Sequence, residues 1–215
     1  MENKPVPQLG VLISGRGSNL GAIIRAIEQG ALRARIAVVI SNRAEAGGLE
    51  LARAHGIEAI VLLHGAHASR AAYDAALAGT LRERGVALVC LAGFMRVLGP
   101  AFCEAFPNAV LNIHPSLLPA FPGTHAPRQA LEHGVRISGV TVHFVSPELD
   151  AGPIVMQAAV PVEPDDTEDT LAARILVQEH RLYPRAIQFV LDGGWTIRGR
   201  RVVASPDADS DAALR

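Results

Sequence analysis

The first half of the chain alternates continuous apolar runs with segments of helical periodicity. The apolar runs lie at 9–14, 35–41, 58–63, 86–91 and 109–113, and the helical patterns at about 20–30, 49–55 and 69–84. Because these runs are apolar throughout, they predict strands that are buried on both faces, as in a parallel sheet with helices on both sides. The sequence therefore predicts an α/β, Rossmann-like fold with a mostly parallel twisted sheet.

The second half has a different pattern. Two adjacent extended segments, 136–144 and 153–162, predict an antiparallel extension of the sheet, and 195–203 predicts a final strand. Residues 168–192 form one helical pattern with Thr167 as its cap and a kink or break expected at Pro184. We interpret 1–203 as a single domain and 204–215 as a disordered tail.

Composition excludes several classes of protein. Apolar residues make up 49% of the 215, and the formal net charge is −1, so neither a disordered chain nor a general nucleic-acid or membrane surface is expected. Two cysteines exclude a disulfide scaffold. No segment approaches the roughly 20 apolar residues of a membrane span, and the N-terminus does not resemble a signal peptide. The expectation is a cytoplasmic protein without membrane or nucleic-acid partners.

A glycine-containing loop, GRGSNL at 15–20, joins the first strand to the first helix. Glycines let the backbone approach a phosphate, and the free N–H groups of a helix N-terminus donate to it. The dinucleotide fingerprint is incomplete because its sixth position is Leu20, although Arg43 leaves NADP open as a ligand. A single phosphate fits the loop better, and a tight turn without a ligand is the structural alternative.

The segment LNIHPSLLP at 111–119 places Asn112 and His114 on one face of a strand, near its carboxyl end. An amide can donate to a developing oxyanion, and an imidazole can carry a proton. Asp150 can orient that imidazole, but it follows 36 residues later, so their contact does not follow from the sequence. The structural alternative is an asparagine that closes a turn and a histidine bonded to backbone. His64 and His67 lack further ligands, so no metal is expected.

Several motifs occur together in order: GRGSNL at 15–20, LAGFMR at 91–96, LNIHPSLLP at 111–119, VHFV at 142–145, ELDAGP at 148–153, and QEH at 178–180 with Tyr183 and Pro184. With them, residues 9–194 resemble the phosphoribosylglycinamide formyltransferase family, folate-dependent enzymes of purine synthesis. The resemblance implies transfer of the formyl group of 10-formyltetrahydrofolate to the amine of glycinamide ribonucleotide. It also divides the domain into a phosphate-binding half, about 9–110, and a catalytic and folate half, about 111–203.

The resemblance also implies a role for each site residue. His114 is the general acid, Asn112 stabilises the oxyanion, and Asp150 raises the pKa of His114. The ribonucleotide is held by Gly17, Ser18 and Asn19 at its phosphate, and by Leu176, Val177, Gln178 and Glu179 at its ribose. The folate is held by Arg70, Met95, Arg96, Val97, Leu98, Asn112, Ser146, Pro147, Glu148, Leu149 and Asp150. The protein is expected to be a monomer or a homodimer.

Three other interpretations stay open from the sequence. A formyltetrahydrofolate deformylase shares the residues that match Asn112, His114 and Asp150. It usually also carries an N-terminal regulatory domain, for which a first strand at residue 9 leaves no room. A methionyl-tRNA formyltransferase carries a C-terminal RNA-binding domain, which neither the length nor the net charge of −1 favours. A non-catalytic nucleotide-binding protein would use the glycine loop and leave Asn112, His114 and Asp150 without a role.

Overall fold

The computed structural model describes residues 5–205, which form two compact units, one up to Asn112 and one from Ile113 onward. The predicted disordered tail begins at Ala204, which instead ends a strand, and its residues 206–215 lie outside the described part.

The first unit contains a parallel sheet whose strands follow the predicted apolar runs. Its strand order is β3-β2-β1-β4-β5, and every neighbouring pair in it is parallel. Leu9, Val11 and Leu12 in β1 are fully buried, as are Val38 and Val39 in β2. The strands are β1 (Gln8–Ile13), β2 (Arg35–Ser41), β3 (Ala59–Val61), β4 (Leu88–Leu91) and β5 (Val110–His114), of which β5 continues into the second unit.

Helices alternate with these strands, as the periodicity predicts. Ser69 caps α3, because its side chain accepts a hydrogen bond from the amide of Ala72 at 3.1 Å. Helix α4 is short and was not predicted; it begins at Pro100, whose missing N–H costs nothing in a first turn. The helices are α1 (Ser18–Glu28), α2 (Gly47–Ala54), α3 (Arg70–Arg82) and α4 (Pro100–Ala105).

The second unit contains the predicted antiparallel pair and a C-terminal hairpin. Strand β6 pairs antiparallel with β7, β7 pairs with β9 at one parallel position, and β9 pairs antiparallel with β8. The single final strand expected at 195–203 is wrong, because Gly199 has a φ of +61° and the chain turns there into a hairpin. The elements are α5 (Ala126–Glu132), β6 (Ile137–Phe144), β7 (Ile154–Pro161), α6 (Glu168–Asp192), β8 (Trp195–Arg198) and β9 (Arg201–Ala204).

Helix α6 begins at its predicted cap and continues through Pro184. Thr167 accepts from the amide of Thr170, and the Thr170 hydroxyl accepts in turn from the amide of Thr167, a reciprocal capping box. Of the kink or break expected at Pro184, the break is wrong, since the helix is uninterrupted from Glu168 to Asp192, and the kink stays a prediction. Tyr183 and Pro184 are both buried, so packing of this face offsets the one lost backbone hydrogen bond. Within residues 5–205, no helix has the length and apolar character that crossing a membrane requires.

Candidate active site

Strand β5 carries two of the predicted catalytic residues at its carboxyl end. Asn112 pairs in register with Leu91 of β4, and His114 is the last residue of the strand. Because side chains alternate along a strand, Asn112 and His114 share one face while Ile113 points to the other. Asn112 is half-buried and His114 is 4% exposed, so the imidazole is largely shielded from water.

The structure brings Asp150 to His114 across the 36 residues that separate them in sequence. Asp150 lies in the segment after β6 with a φ of +50°, a left-handed conformation that aspartate tolerates better than most residues. Its Oδ2 lies 3.5 Å from His114 Nδ1 and accepts a hydrogen bond from the amide of Gly123 at 2.8 Å. The two side chains are only 6% and 8% exposed, so a buried imidazole–carboxylate pair forms in the second unit.

The other nitrogen of His114 is held by the segment that follows β5. Nε2 lies 2.8 Å from the carbonyl oxygen of Phe121, and since a carbonyl can only accept, Nε2 donates the proton. Thr141 of β6 fixes the start of this segment, donating to the carbonyl of Ser116 at 2.7 Å and accepting from the amide of Leu118 at 3.0 Å. Both ring nitrogens of His114 are therefore oriented by fixed neighbours.

A second histidine, His143, completes the cluster. Its Nε2 lies 3.6 Å from Asp150 Oδ1, and its Nδ1 contacts the carbonyl oxygen of Phe144 at 2.9 Å. His143 is 2% exposed, which places it inside the protein. The available signal in the sequence is a histidine near the end of the strand that directly precedes the segment of Asp150.

Burial has the largest effect on the pKa of His114. Burial lowers its pKa, while the Phe121 carbonyl and the charge of Asp150 raise it and nearby His143 lowers it further, leaving the pKa below 6.5. Asp150 thus acts in the expected direction, but its effect is smaller than that of burial. Burial raises the pKa of Asp150 itself, yet the hydrogen bonds from His143 and Gly123 and the charge of His114 outweigh it, so this pKa lies below 3.8.

These shifts predict how stability depends on pH. Because the pKa of His114 is lowered in the folded state, the unfolded chain takes up its proton first, and stability is lost as the pH falls below 6.5. The lowered pKa of Asp150 affects stability only when the pH falls below about 3.8. The free energy of unfolding should therefore fall between pH 8 and pH 5.5, measured by chemical denaturation, and fall less in the His114→Gln variant. Equal falls in wild type and variant would contradict this; His64→Gln, at an exposed position, is the control.

The glycine loop lies where an anion site requires it, at the start of α1. Gly17 is the N-cap residue, with a φ of +78°, and α1 begins at Ser18. Ser18 is exposed, whereas Asn19 is 7% exposed and packs into the first unit. The first turn of α1 contains no acidic residue, so its free N–H groups present an uncompensated positive end to an anion.

Replacing Gly17 with alanine is expected to destabilise the protein more than replacing Gly30. Both glycines have positive φ, +78° and +71°, so both variants pay a strain of about 1–2 kcal/mol. A Cβ on Gly17 would also lie 2.8 Å from the Cα of Gly48, while nothing lies within 4 Å of a Cβ on Gly30. The extra clash should cost at least about 1 kcal/mol in the free energy of unfolding. Equal losses in the two variants would show that the close approach to Gly48 is unimportant.

The predicted folate residues of the first unit lie on α3 and on the segment before α4. Arg70 starts α3 and its side chain is 51% exposed. Met95 and Val97 are 66% and 45% exposed, which is unusual for apolar side chains, and Leu98 is buried. Exposed apolar side chains beside the exposed Arg70 and the half-buried Arg96 suit a flat heterocycle with an anionic tail.

The remaining predicted residues lie in the second unit. Ser146, Pro147, Glu148 and Leu149 form the turn before Asp150, where the Ser146 hydroxyl donates to the carbonyl of Glu148 at 3.0 Å. Leu149 is 56% exposed. The other group, which lies on α6, consists of half-buried Leu176 and Gln178, exposed Val177, and Glu179 at 8% exposure.

A cavity of about 520 Å³ lies elsewhere in the first unit, at the amino ends of β1 and β2. Four of its lining residues form two pairs, Arg84 with Glu58 at 2.7 Å and His55 with Glu28 at 2.9 Å. None of the predicted site residues lines it, so it is separate from the candidate site. Among the described residues, no group of three or more histidine, cysteine or acidic side chains is arranged to hold a metal ion.

The His114 imidazole of the buried imidazole–carboxylate pair lies on the same strand as the Asn112 amide. The chain belongs to the formyl transferase family, whose model matches residues 8–187. It is 49% identical over 183 residues to phosphoribosylglycinamide formyltransferase of Escherichia coli (strain K12), covering 85% of this chain and 86% of that protein. It is 46% identical to the trifunctional purine biosynthetic protein adenosine-3 of Bos taurus over 86% of this chain, but spans only 18% of that protein.

Solved structures show the same relationship. Glycinamide ribonucleotide transformylase 1 from Symbiobacterium toebii superposes with a TM-score of 0.91 at 55% identity, covering 93% of this chain and 94% of that one. A formyltetrahydrofolate deformylase from Pseudomonas syringae pv. tomato superposes with a TM-score of 0.86 at 25% identity, covering 94% of this chain and 67% of that one. The predicted family and the predicted α/β fold class are both confirmed.

Proposed function

We propose that this protein transfers the formyl group of 10-formyltetrahydrofolate to the amine of 5-phosphoribosylglycinamide, giving the formylated ribonucleotide of purine synthesis. The observation that carries the proposal is the buried pair of His114 and Asp150, 3.5 Å apart, at the end of the strand that holds Asn112. High identity to phosphoribosylglycinamide formyltransferases over most of both chains supports this choice of substrates.

The reaction exchanges one C–N bond for another. The amine nitrogen of the ribonucleotide attacks the formyl carbon, forming a C–N bond and a tetrahedral intermediate with a negative oxygen. The bond from the formyl carbon to N10 of the folate then breaks. One proton must move from the attacking amine to N10, so the site needs a proton carrier and an oxyanion donor.

Asn112 and His114 meet these two needs in our proposal. The Asn112 amide donates to the oxyanion as it forms, from a strand position that is fixed by pairing with β4. His114, with a pKa below 6.5, is mostly neutral at pH 7 and so can take the amine proton and, as a general acid, deliver it to N10. Its Nε2 must first leave the Phe121 carbonyl, and the ring proton must move from Nε2 to Nδ1 beside Asp150, so that Nε2 is free to accept the amine proton. Asp150 then favours the imidazolium.

Each substrate is assigned its own set of residues. The phosphate lies at the start of α1 on Gly17, Ser18 and Asn19, and Glu179 of α6, with Leu176–Gln178 beside it, holds the ribose hydroxyls. The folate takes its contacts from Arg70, from Met95, Arg96, Val97 and Leu98, and from the turn of Ser146, Pro147, Glu148 and Leu149 before Asp150. Residues 1–203 act as a single formyltransferase domain, in the cytoplasm, as a monomer or a homodimer.

The deciding experiment incubates purified protein with 10-formyltetrahydrofolate, with and without glycinamide ribonucleotide, and follows both products by mass. Formylated ribonucleotide that appears only with the acceptor is the expected result. Formate released at the same rate in both tubes would support a deformylase, the activity named for the structure from Pseudomonas syringae. No turnover in either tube would leave a nucleotide-binding protein as the better interpretation.

A further inference from the structure

We propose that Asp74 is a positioning residue that holds the segment Met95–Leu98, here called the 95–98 loop, in the conformation that binds folate. This inference rests on the proposed function, which places folate against that loop. Asp74 is absent from the set of residues assigned to the reaction, and its side chain is 6% exposed. It acts on the loop through the backbone amide of Gly99, the residue that directly follows the loop.

The first contact lies at the carboxyl end of the loop. Asp74 Oδ2 accepts a hydrogen bond from the amide of Gly99 at 2.8 Å, and Gly99 directly follows Leu98 and caps α4. The same oxygen lies 4.0 Å from Nε of Arg70, a predicted folate-binding cation. One buried carboxylate therefore holds the residue that directly follows the loop and lies near a neighbouring guanidinium.

The amino end of the loop is held separately. The amide of Met95 donates to Oγ of Ser14 at 2.8 Å, and that hydroxyl donates to Oδ1 of Asn42 at 2.6 Å. Between these anchors Met95 and Val97 are exposed. The loop is thus fixed at both ends by buried acceptors while Met95 and Val97 face solvent, the arrangement of a preorganised binding segment.

The residue before Asp74 holds the middle of the loop. The Arg96 guanidinium lies over the ring of Tyr73, 5.2 Å from its centre, and Tyr73 is fully buried. A cation on an aromatic face is attracted to it and loses rotational freedom. Two consecutive residues of α3 therefore orient Arg96 and Gly99, so the helix and the loop behave as one element.

Loss of the Asp74 carboxylate should leave the Gly99 amide without its acceptor and free the loop. Folate would then have to order the loop on binding, which weakens its affinity without changing the reacting groups. Asp74→Ala is expected to raise KM for the folate about tenfold, the effect of losing one hydrogen bond to a charged acceptor. Its kcat and its KM for the ribonucleotide should stay within about twofold of wild type.

Asp74→Asn is the conservative variant, because its amide oxygen can still accept from Gly99. Its folate KM should lie within about threefold of wild type, a rescue that a purely electrostatic role toward Arg70 would not give. A folate KM unchanged in Asp74→Ala, or equal rises in both KM values, would overturn the proposal.

Gly99→Ala keeps the test valid if Asp74→Ala does not fold. Gly99 has a φ of −80°, so alanine brings no backbone strain, but its Cβ would lie 2.8 Å from Asp74 Oδ2 and force the contact apart. The folate KM should rise again, while Gly79→Ala, in α3 with nothing within 4 Å of the new Cβ, should leave it unchanged. An unchanged folate KM in Gly99→Ala would also overturn the proposal.

Wild-type turnover separates this inference from the proposed function. If the wild-type protein produces no formylated ribonucleotide, the function itself fails. If it does, and Asp74→Ala and Gly99→Ala both retain the wild-type folate KM, only the positioning role of Asp74 fails.

Discussion

Replacing His114 with alanine is expected to lower kcat for formyl transfer by about 10²–10⁴-fold, because the proton that moves from the amine to N10 loses its carrier. His114 is buried, and its imidazole lies 3.5 Å from the carboxylate of Asp150. The measurement is the rate of formylated ribonucleotide production with both substrates saturating, so that weaker binding does not enter the comparison.

Two further variants make the result specific. His64→Ala removes a histidine from an exposed turn and should keep wild-type activity. His114→Gln retains a polar side chain of similar size and should be as inactive as alanine, because an amide cannot exchange a proton at neutral pH. A loss of less than tenfold in either His114 variant, with folding intact, would remove His114 from the mechanism.

The second large effect is expected at Asn112. Asn112→Ala should lower kcat by about 10²–10³-fold, the loss found when one oxyanion donor is removed. The strand position is set by backbone pairing with Leu91, so the truncation should leave β5 in place. Folate and ribonucleotide KM values should change much less than kcat, because the oxyanion exists only in the transition state.

Asn112→Asp distinguishes an oxyanion donor from a structural role. Aspartate has the same shape but, when ionised, offers acceptors in place of the amide donor and repels the developing charge. Its kcat should be at least as low as that of the alanine variant. An aspartate variant that retains most wild-type activity would mean that Asn112 supports the strand and does not contact the reacting oxygen.

Much of the fold was predictable because its signals are local. The apolar run at 35–41 predicted β2 at its observed bounds, and Thr167 predicted the cap of α6. These features depend on residues within one turn or strand of each other. The family was predictable from motifs whose order the chain preserves.

The rest depends on contacts between distant residues. The contact of His114 with Asp150 depends on where β6 and the turn after it place the aspartate. The contact of His143 with Asp150 depends on the same placement. Helix α6 continues through Pro184 because the helix face that carries this proline is buried. Local rules for proline in helices do not take such tertiary packing into account. The net lowering of the pKa of His114 depends on how deeply the ring is buried, so it could not be predicted from the raising effect of Asp150 alone.

The segment after β5 holds His114 and Asp150 through its main chain: the Phe121 carbonyl accepts from His114, and the Gly123 amide donates to Asp150. Ordinary alanine scanning leaves these peptide groups in place, so it would understate the importance of this segment. Replacing the peptide bond that contributes the Gly123 N–H with an ester removes that donor and changes no side chain. A scan by amide-to-ester exchange would therefore reveal a dependence that side-chain substitutions do not test. Because the contact at Phe121 is made by its main-chain carbonyl, the side chain at this position is comparatively free to vary.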